Sequence, residues 1–180
     1  MKEIEAKILE VNRPKIEKTL TSLGAKKIFD GDIQTFFFDS KEHTIIKSKD
    51  VLRLRKEQNK TELTYKKVHF TETSKDAEEY SVEISDFYTM KTILENIGLF
   101  VIESMEKHRV SYVLDQARFD IDCYYGDFAY IPEFLEIEAE NSDSIHKYAG
   151  FLGFKPEDCL PWSTQDIIQY YSSKKEKKLS

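Results

Sequence analysis

The strongest constraint on this chain is a period of two in which the polar positions are full charges. In Glu3-Ile4-Glu5-Ala6-Lys7-Ile8 the odd positions are charged and the even ones apolar. Val51-Leu52-Arg53-Leu54-Arg55 puts both arginines on one face, and Glu62-Leu63-Thr64-Tyr65-Lys66 sets Lys66 opposite Leu63 and Tyr65. The same alternation runs through Glu79-Tyr80-Ser81-Val82-Glu83-Ile84, Lys107-His108-Arg109-Val110-Ser111-Tyr112, Phe119-Asp120-Ile121-Asp122-Cys123 and Leu135-Glu136-Ile137-Glu138-Ala139. Strict alternation is the mark of a strand with one buried face. Two less charged strands are expected at residues 34–39 and 100–103.

Amphipathic helices are predicted between these strands. Residues 14–23 place Ile16, Leu20 and Leu23 on one stripe, with Pro14 in the first turn and Gly24 as the stop. Residues 86–97 carry Met90, Ile93, Leu94 and Ile97 before Gly98, and residues 142–152 carry Ile145, Ala149 and Leu152 before Gly153. A last short helix should start near Ser163, whose spacing to Asp166 fits a capping box. Residues 174–178 read as a frayed, solvated end, so residues 1–172 are expected as one domain and 173–180 as a charged tail. An internal repeat also shows. At an offset of 74 residues Glu5 falls on Glu79, Leu20 on Leu94, Leu23 on Ile97 and Gly24 on Gly98, which points to a duplicated sheet unit.

Composition removes several classes. The 180 residues can bury a real core. A net charge of -6 disfavours a general nucleic-acid binder. No apolar run approaches the roughly 20 residues of a membrane helix, and the amphipathic start MKEIEAKI lacks the uncharged core of a signal peptide. With two cysteines, too far apart for a CxxC metal site, the expectation is a cytoplasmic protein without nucleic-acid or membrane partners. Six glycines and no P-loop mean that phosphate, if bound, is gripped by side chains.

Two architectures accommodate the charged faces. An open antiparallel sheet would show them to water; a closed barrel would turn them into its lumen, with the apolar face outward beneath the helices. The signs are segregated. Arg53, Arg55, Lys66, Lys107 and Arg109 lie on basic strands, whereas Glu3, Glu5, Glu79, Glu83, Asp120, Asp122, Glu136 and Glu138 lie on acidic ones. Carboxylates two apart on one strand face repel unless a cation lies between them, and oxygen-only donors suit Mg²⁺ or Mn²⁺. Paired arginines suit phosphate oxygens. A metal-complexed polyphosphate is therefore one reading; a set of cross-strand salt bridges on a wet surface is the other.

These motifs, taken in order, resemble the CYTH superfamily of triphosphate tunnel metalloenzymes, which includes class IV adenylate cyclases, thiamine triphosphatases and inorganic triphosphatases. The hallmark ExExK strand is Glu3-Ile4-Glu5-Ala6-Lys7. It is followed by Leu52-Arg53-Leu54-Arg55-Lys56, Leu63-Thr64-Tyr65-Lys66, Glu79-Tyr80-Ser81-Val82-Glu83, Glu106-Lys107-His108-Arg109, Asp120-Ile121-Asp122 and Leu135-Glu136-Ile137-Glu138. The run from Ile131 to Glu138 and Pro161-Trp162-Ser163 resemble the cyclase-like branch. The resemblance implies an α+β fold, an eight-stranded antiparallel β-barrel with a charged lumen and flanking amphipathic helices. It implies that Glu3, Glu5, Asp122, Glu136 and Glu138 hold Mg²⁺ or Mn²⁺, and that Arg53, Arg55, Lys66, Lys107 and Arg109 hold the triphosphate. Lys7, Glu79 and Glu83 are the remaining candidate catalytic residues, Lys7 for phosphate contact or proton transfer. The implied activity is that of a class IV adenylate cyclase, making cyclic AMP and pyrophosphate from ATP. The alternatives are a triphosphatase for thiamine triphosphate or tripolyphosphate and a non-catalytic polyphosphate- or nucleotide-binding module. Cyclases of the family are often homodimers, although no interface signature is present.

Other conspicuous residues have plainer readings. His108 and Cys123 fall on the outward parity, Phe36-Phe37-Phe38 belongs to the barrel wall, and Trp162 helps to dock the C-terminus. Residues 68–77 read as a long polar loop, mobile near a tunnel mouth.

Overall fold

A computed structural model describes residues 4–70 and 75–179, with backbone alone at 68–70, 75–77 and 176–179. The fold is α+β, with eight antiparallel strands and five α-helices. In chain order the elements are β1 (Ile4–Ile8), α1 (Arg13–Ser22), β2 (Lys26–Ser40), α2 (Thr44–Lys47), β3 (Val51–Glu57), β4 (Lys60–Phe70), β5 (Lys75–Ile84), α3 (Phe87–Asn96), β6 (Leu99–Leu114), β7 (Ala117–Tyr124), β8 (Phe134–Ala139), α4 (Ser142–Phe151) and α5 (Thr164–Leu179). The hydrogen-bonded strand order is β1-β8-β7-β6-β2-β3-β4-β5. The chain divides into two compact units, residues 1–31 with 107–180, and residues 32–106. Strands β2 and β6 contribute to both.

The first unit shows how alternation becomes packing. The even-numbered residues of β1 and the odd-numbered residues of β7 and β8 turn to the apolar side. There Ala6, Ile8, Val110, Tyr112, Phe119, Ile121, Leu135 and Ile137 form one core with Ile16 and Leu20 of α1 and Ile145, Tyr148 and Ala149 of α4. In the second unit the equivalent core joins Phe36, Phe38 and Leu54 to Phe87 and Leu94 of α3. His108 and Cys123 lie on the outward parity, as predicted; His108 Nε2 is 3.0 Å from Asp30 Oδ1.

The repeat is structural. Helices α1 and α3 begin and end 74 residues apart, Arg13 to Phe87 and Ser22 to Asn96. Their N-caps, Asn12 and Asp86, are also 74 apart; each side chain accepts from the backbone N–H three residues on, of Lys15 and Thr89. Gly24 and Gly98 end the two helices with φ of +84° and +94°, a left-handed conformation in which a Cβ is strained. The strand order is unchanged by exchanging β1 with β5, β2 with β6, β3 with β7 and β4 with β8.

Several boundaries differ from expectation. Residues 34–39 and 100–103 are parts of strands of 15 and 16 residues. Of the loop expected at 68–77, residues 68–70 and 75–77 belong instead to β4 and β5, which stay in register to Phe70↔Lys75; residues 71–74 lie outside the described residues. The capping box at Ser163 is present: Ser163 Oγ accepts from Asp166 N at 3.3 Å, and Asp166 Oδ2 accepts from Ser163 N at 2.7 Å. The helix it opens runs to Leu179, through the residues expected as a frayed tail. Leu23, Ile93 and Ile97 are exposed, so the apolar stripes of α1 and α3 are narrower than their spacing predicts.

The short α2 depends on one buried carboxylate. Asp39 accepts from the backbone N–H groups of Ser40 (2.7 Å), Ile45 (3.0 Å) and Ile46 (2.9 Å). Burial alone would raise its pKa, but these donors hold it below the usual carboxylate range. A depressed folded pKa stabilises above the unfolded value, about 4, and that stability is lost as pH falls through the folded value. Asp39→Asn should therefore lower the denaturation midpoint at pH 7 and flatten its acid-side fall. An unchanged pH–stability curve would contradict this.

Candidate active site

In the first unit one sheet face is mostly charged. Register places Lys7 opposite Glu136, Glu136 opposite Asp120, and Asp120 opposite Ser111. A neighbouring row sets Glu5 and Arg118 opposite Glu138, and Arg109 lies opposite Asp122. Asp122, 1% exposed, is the centre. Arg109 grips it with two parallel bonds, Nε to Oδ1 and Nη2 to Oδ2, both 2.6 Å, and Lys107 Nζ donates to Oδ2 at 2.7 Å. Arg109 Nη1 also donates to Asp120 Oδ2, and Arg118 Nε reaches Asp120 Oδ1 at 2.9 Å. Burial opposes every one of these charges. The paired cations outweigh it at Asp122, whose pKa lies far below the usual range, and the paired acids outweigh it at Arg109, which is raised.

Lys7 forms a second knot. Its side chain is 2% exposed, and its Nζ lies 2.8 Å from both Glu5 Oε1 and Glu136 Oε2. Burial would lower the lysine pKa and raise that of Glu136, but Glu136 and Glu5 hold Lys7 charged, and Lys7 and Arg109 hold Glu136 ionised. At one end the face turns aromatic. Tyr124 stacks on Phe134, with ring centroids 6.0 Å apart, and Lys107 Nζ lies 5.5 Å from the Tyr124 ring centre.

The second unit has its own charged face. Register aligns Thr35, Arg55, Glu62 and Glu83 in one row and Phe37, Arg53, Thr64 and Ser81 in the next. Lys66 Nζ lies 2.7 Å from Glu79 Oε2, and Arg53 Nη2 lies 3.8 Å from Glu79 Oε1. Burial would raise the Glu79 pKa, but Lys66 and Arg53 bring it below the usual range. Glu83 is exposed at the far end of its row. The Nε atoms of Arg53 and Arg55 are shielded from solvent and make no hydrogen bond, though both guanidinium groups have other partners.

Each predicted site residue within the described residues thus lies on a charged face, Glu5, Lys7, Lys107, Arg109, Asp122, Glu136 and Glu138 in the first unit and Arg53, Arg55, Lys66, Glu79 and Glu83 in the second. Glu3 falls outside the described residues. Sequence reasoning placed Asp120 on the acidic face without giving it a role, and left out Arg118 and Tyr124, though all three share the parity of Asp122. Among the described residues no three His, Cys, Asp or Glu side chains converge as a metal-ligating group. Asp122 is the clearest reason, since its oxygens already receive three charge-assisted bonds. Glu5 and Glu136 fit a cation better. Both are hard oxygen donors, and both already reach one ammonium.

The first unit thus carries a strand-borne charged face opposite an apolar one covered by helices. The CYTH domain family model matches residues 1–150. A Methanocaldococcus jannaschii protein named "putative adenylate cyclase" is 28% identical over 147 residues, 82% of each chain. The structure of a Pyrococcus horikoshii protein aligns with a TM-score of 0.71 at 25% identity, covering 92% of this chain and 99% of that one. A Vibrio parahaemolyticus protein bearing the same cyclase name aligns at 0.71 and 18% identity, covering 93% and 97%, a likeness of fold alone. The chain belongs to the CYTH family. Members of that family are metal-using enzymes that act on triphosphates, as adenylate cyclases or as triphosphatases. Among the described residues no helix is long and apolar enough to cross a membrane.

The two faces should respond differently to loss of a cation. Arg109→Met leaves Asp122 buried with Lys107 alone, and breaking a buried pair costs about 3–5 kcal/mol. Lys66→Ala removes a pair whose members are 35% and 42% exposed, worth under about 1 kcal/mol. Chemical denaturation checks both, and equal losses would contradict the contrast.

Proposed function

We propose that this chain is a class IV adenylate cyclase-like enzyme that converts ATP to cyclic AMP and pyrophosphate with Mg²⁺ or Mn²⁺. The observation that carries the reading is the charge balance of the first unit's face. Four cations, Lys7, Lys107, Arg109 and Arg118, stand against five acids, Glu5, Asp120, Asp122, Glu136 and Glu138. Such a face offers cations to a polyanion and carboxylates to a metal ion. It favours the two together, phosphate oxygens exchanging with acids at the cations while a divalent ion joins the acids. The name of the Methanocaldococcus jannaschii relative points the same way.

In this reading Arg53, Arg55, Lys66, Lys107 and Arg109 bind phosphate oxygens. Asp122 and Asp120 orient Arg109, and Glu79 orients Lys66. Lys7 bridges Glu5 and Glu136. Glu5, Glu136, Glu138 and Glu3 would hold the divalent ion, which would withdraw charge from the reacting phosphate. Phosphoryl transfer needs mainly such positioning and charge stabilisation. The ribose 3′-oxygen bonds to the α-phosphorus, the bond from that phosphorus to the bridging oxygen breaks, pyrophosphate leaves, and the hydroxyl proton passes to solvent or a carboxylate. With water attacking the terminal phosphorus instead, the same groups would serve a triphosphatase.

Incubation of the purified chain with ATP, thiamine triphosphate or tripolyphosphate and Mg²⁺ or Mn²⁺ tests this. Cyclic AMP with pyrophosphate is the expected result. Orthophosphate without cyclic AMP replaces the cyclase reading with the triphosphatase one, and tight binding without turnover leaves a binding module. Glu136→Gln should lower metal-dependent turnover by about 10²-fold or more with the fold intact. Arg55→Ala should chiefly raise KM. Full activity in either variant would sink the site assignment.

A further inference from the structure

The residues beyond the family match are joined to the candidate site at an unexpected point. Lys7 N–H donates to Leu160 O at 2.8 Å, and Leu160 N–H donates to Lys7 O at 2.9 Å, a single antiparallel bridge on the side of β1 away from β8. Pro161 follows, and a residue before proline is driven toward extended backbone, which suits Leu160 for strand pairing. Further along, Ile167 is fully buried, and Tyr171 Oη donates to Glu10 Oε1 at 2.9 Å. Glu10 lies just past the end of β1 with a left-handed φ of 55°, so the second clasp falls where that strand turns.

We infer that the segment from Leu160 to Tyr171 is a positioning strap that holds the C-terminal half of β1, and through it Lys7, against the acids of β8. This rests on the proposed metal- and triphosphate-handling role of that face. The physical reason is lateral. Within the first unit β8 flanks β1 on one side, and a five-residue strand held on one side alone leaves its outward N–H and C=O groups to water. The strap satisfies the Lys7 pair on that other side. A fixed backbone at Lys7 fixes where its ammonium stands between Glu5 and Glu136. Leu160 touches no substrate in this reading; it acts through Lys7.

The test uses the full chain. Leu160→Pro removes the N–H that bonds Lys7 O, whereas Leu160→Ala keeps both backbone bonds. Tyr171→Phe removes only the Glu10 clasp and serves if the proline variant does not fold. Two readouts are taken, hydrogen exchange at the Lys7 amide and steady-state kinetics. The Lys7 N–H points at the strap, so its exchange reports strap opening directly. In Leu160→Pro, Lys7 exchange should quicken by about tenfold while Ile137 of β8 keeps its protection. kcat should fall by about ten- to a hundredfold with KM little changed, as for a displaced site group. Leu160→Ala should retain most of the turnover. Faster Lys7 exchange with normal kcat would overturn the proposal, as would loss of protection across β8, which means plain unfolding. A wild-type chain that turns over no triphosphate is a failure of the functional reading instead. The same variants are then compared by Mn²⁺ affinity, where a tenfold loss in Leu160→Pro supports the strap and no change refutes it.

Discussion

One buried carboxylate organises the first unit's charged face. Asp122 is ionised and almost fully out of water, and an isolated charge there would be prohibitive. It is tolerable because Arg109 and Lys107 converge on it from the neighbouring strand. That pairing requires one register between β6 and β7. A slip by one residue would put Asp122 into the apolar core and Phe119 and Ile121 among the charges. The ion pair is therefore better read as a device that specifies register and pre-orients a guanidinium than as a source of net stability. The apolar side pulls in the same direction, since α1 and α4 close over it only when the alternation is kept.

The repeat explains how acidic and basic faces arose on matching strands. Ladder partners of Lys7 run Glu136, Asp120, Ser111; those of Ser81, 74 residues on, run Thr64, Arg53, Phe37. Phe37 and Ser111 are again 74 apart, so the rows correspond. In corresponding places on β7 and β3 stand Asp120 and Arg53, opposite in sign. The helices, caps and terminal glycines of the two copies have kept their offsets, because they answer to packing. The charged faces have diverged.

Most of the architecture was legible in the sequence because alternation and capping are local. Strands, helices, the caps near Ser163, and the parity of His108 and Cys123 all follow from spacing within a few residues. Partner choice was not legible. That Asp122 meets Arg109 and Lys107, while Lys7 meets Glu5 and Glu136, depends on register between strands far apart in the chain. For that reason the pairing of Asp122 with Arg109 and Lys107 could not be read from spacing. The Leu160–Lys7 bridge was hidden for the same reason, being a single backbone contact spanning most of the chain. The boundaries at residues 68–77 and at the C-terminal helix were misplaced because polar residues within a strand or helix look locally like loop.

The central claim is that the charged faces exist to hold a metal-complexed triphosphate. Calorimetric titration of the intact chain with tripolyphosphate, and separately with orthophosphate, each at fixed Mg²⁺, tests it most directly. The account predicts one tripolyphosphate per chain, bound at least about a hundredfold more tightly than orthophosphate, since several strand-borne cations act on one ligand. Equal, weak binding of the two anions would contradict it and return the charges to the role of cross-strand salt bridges.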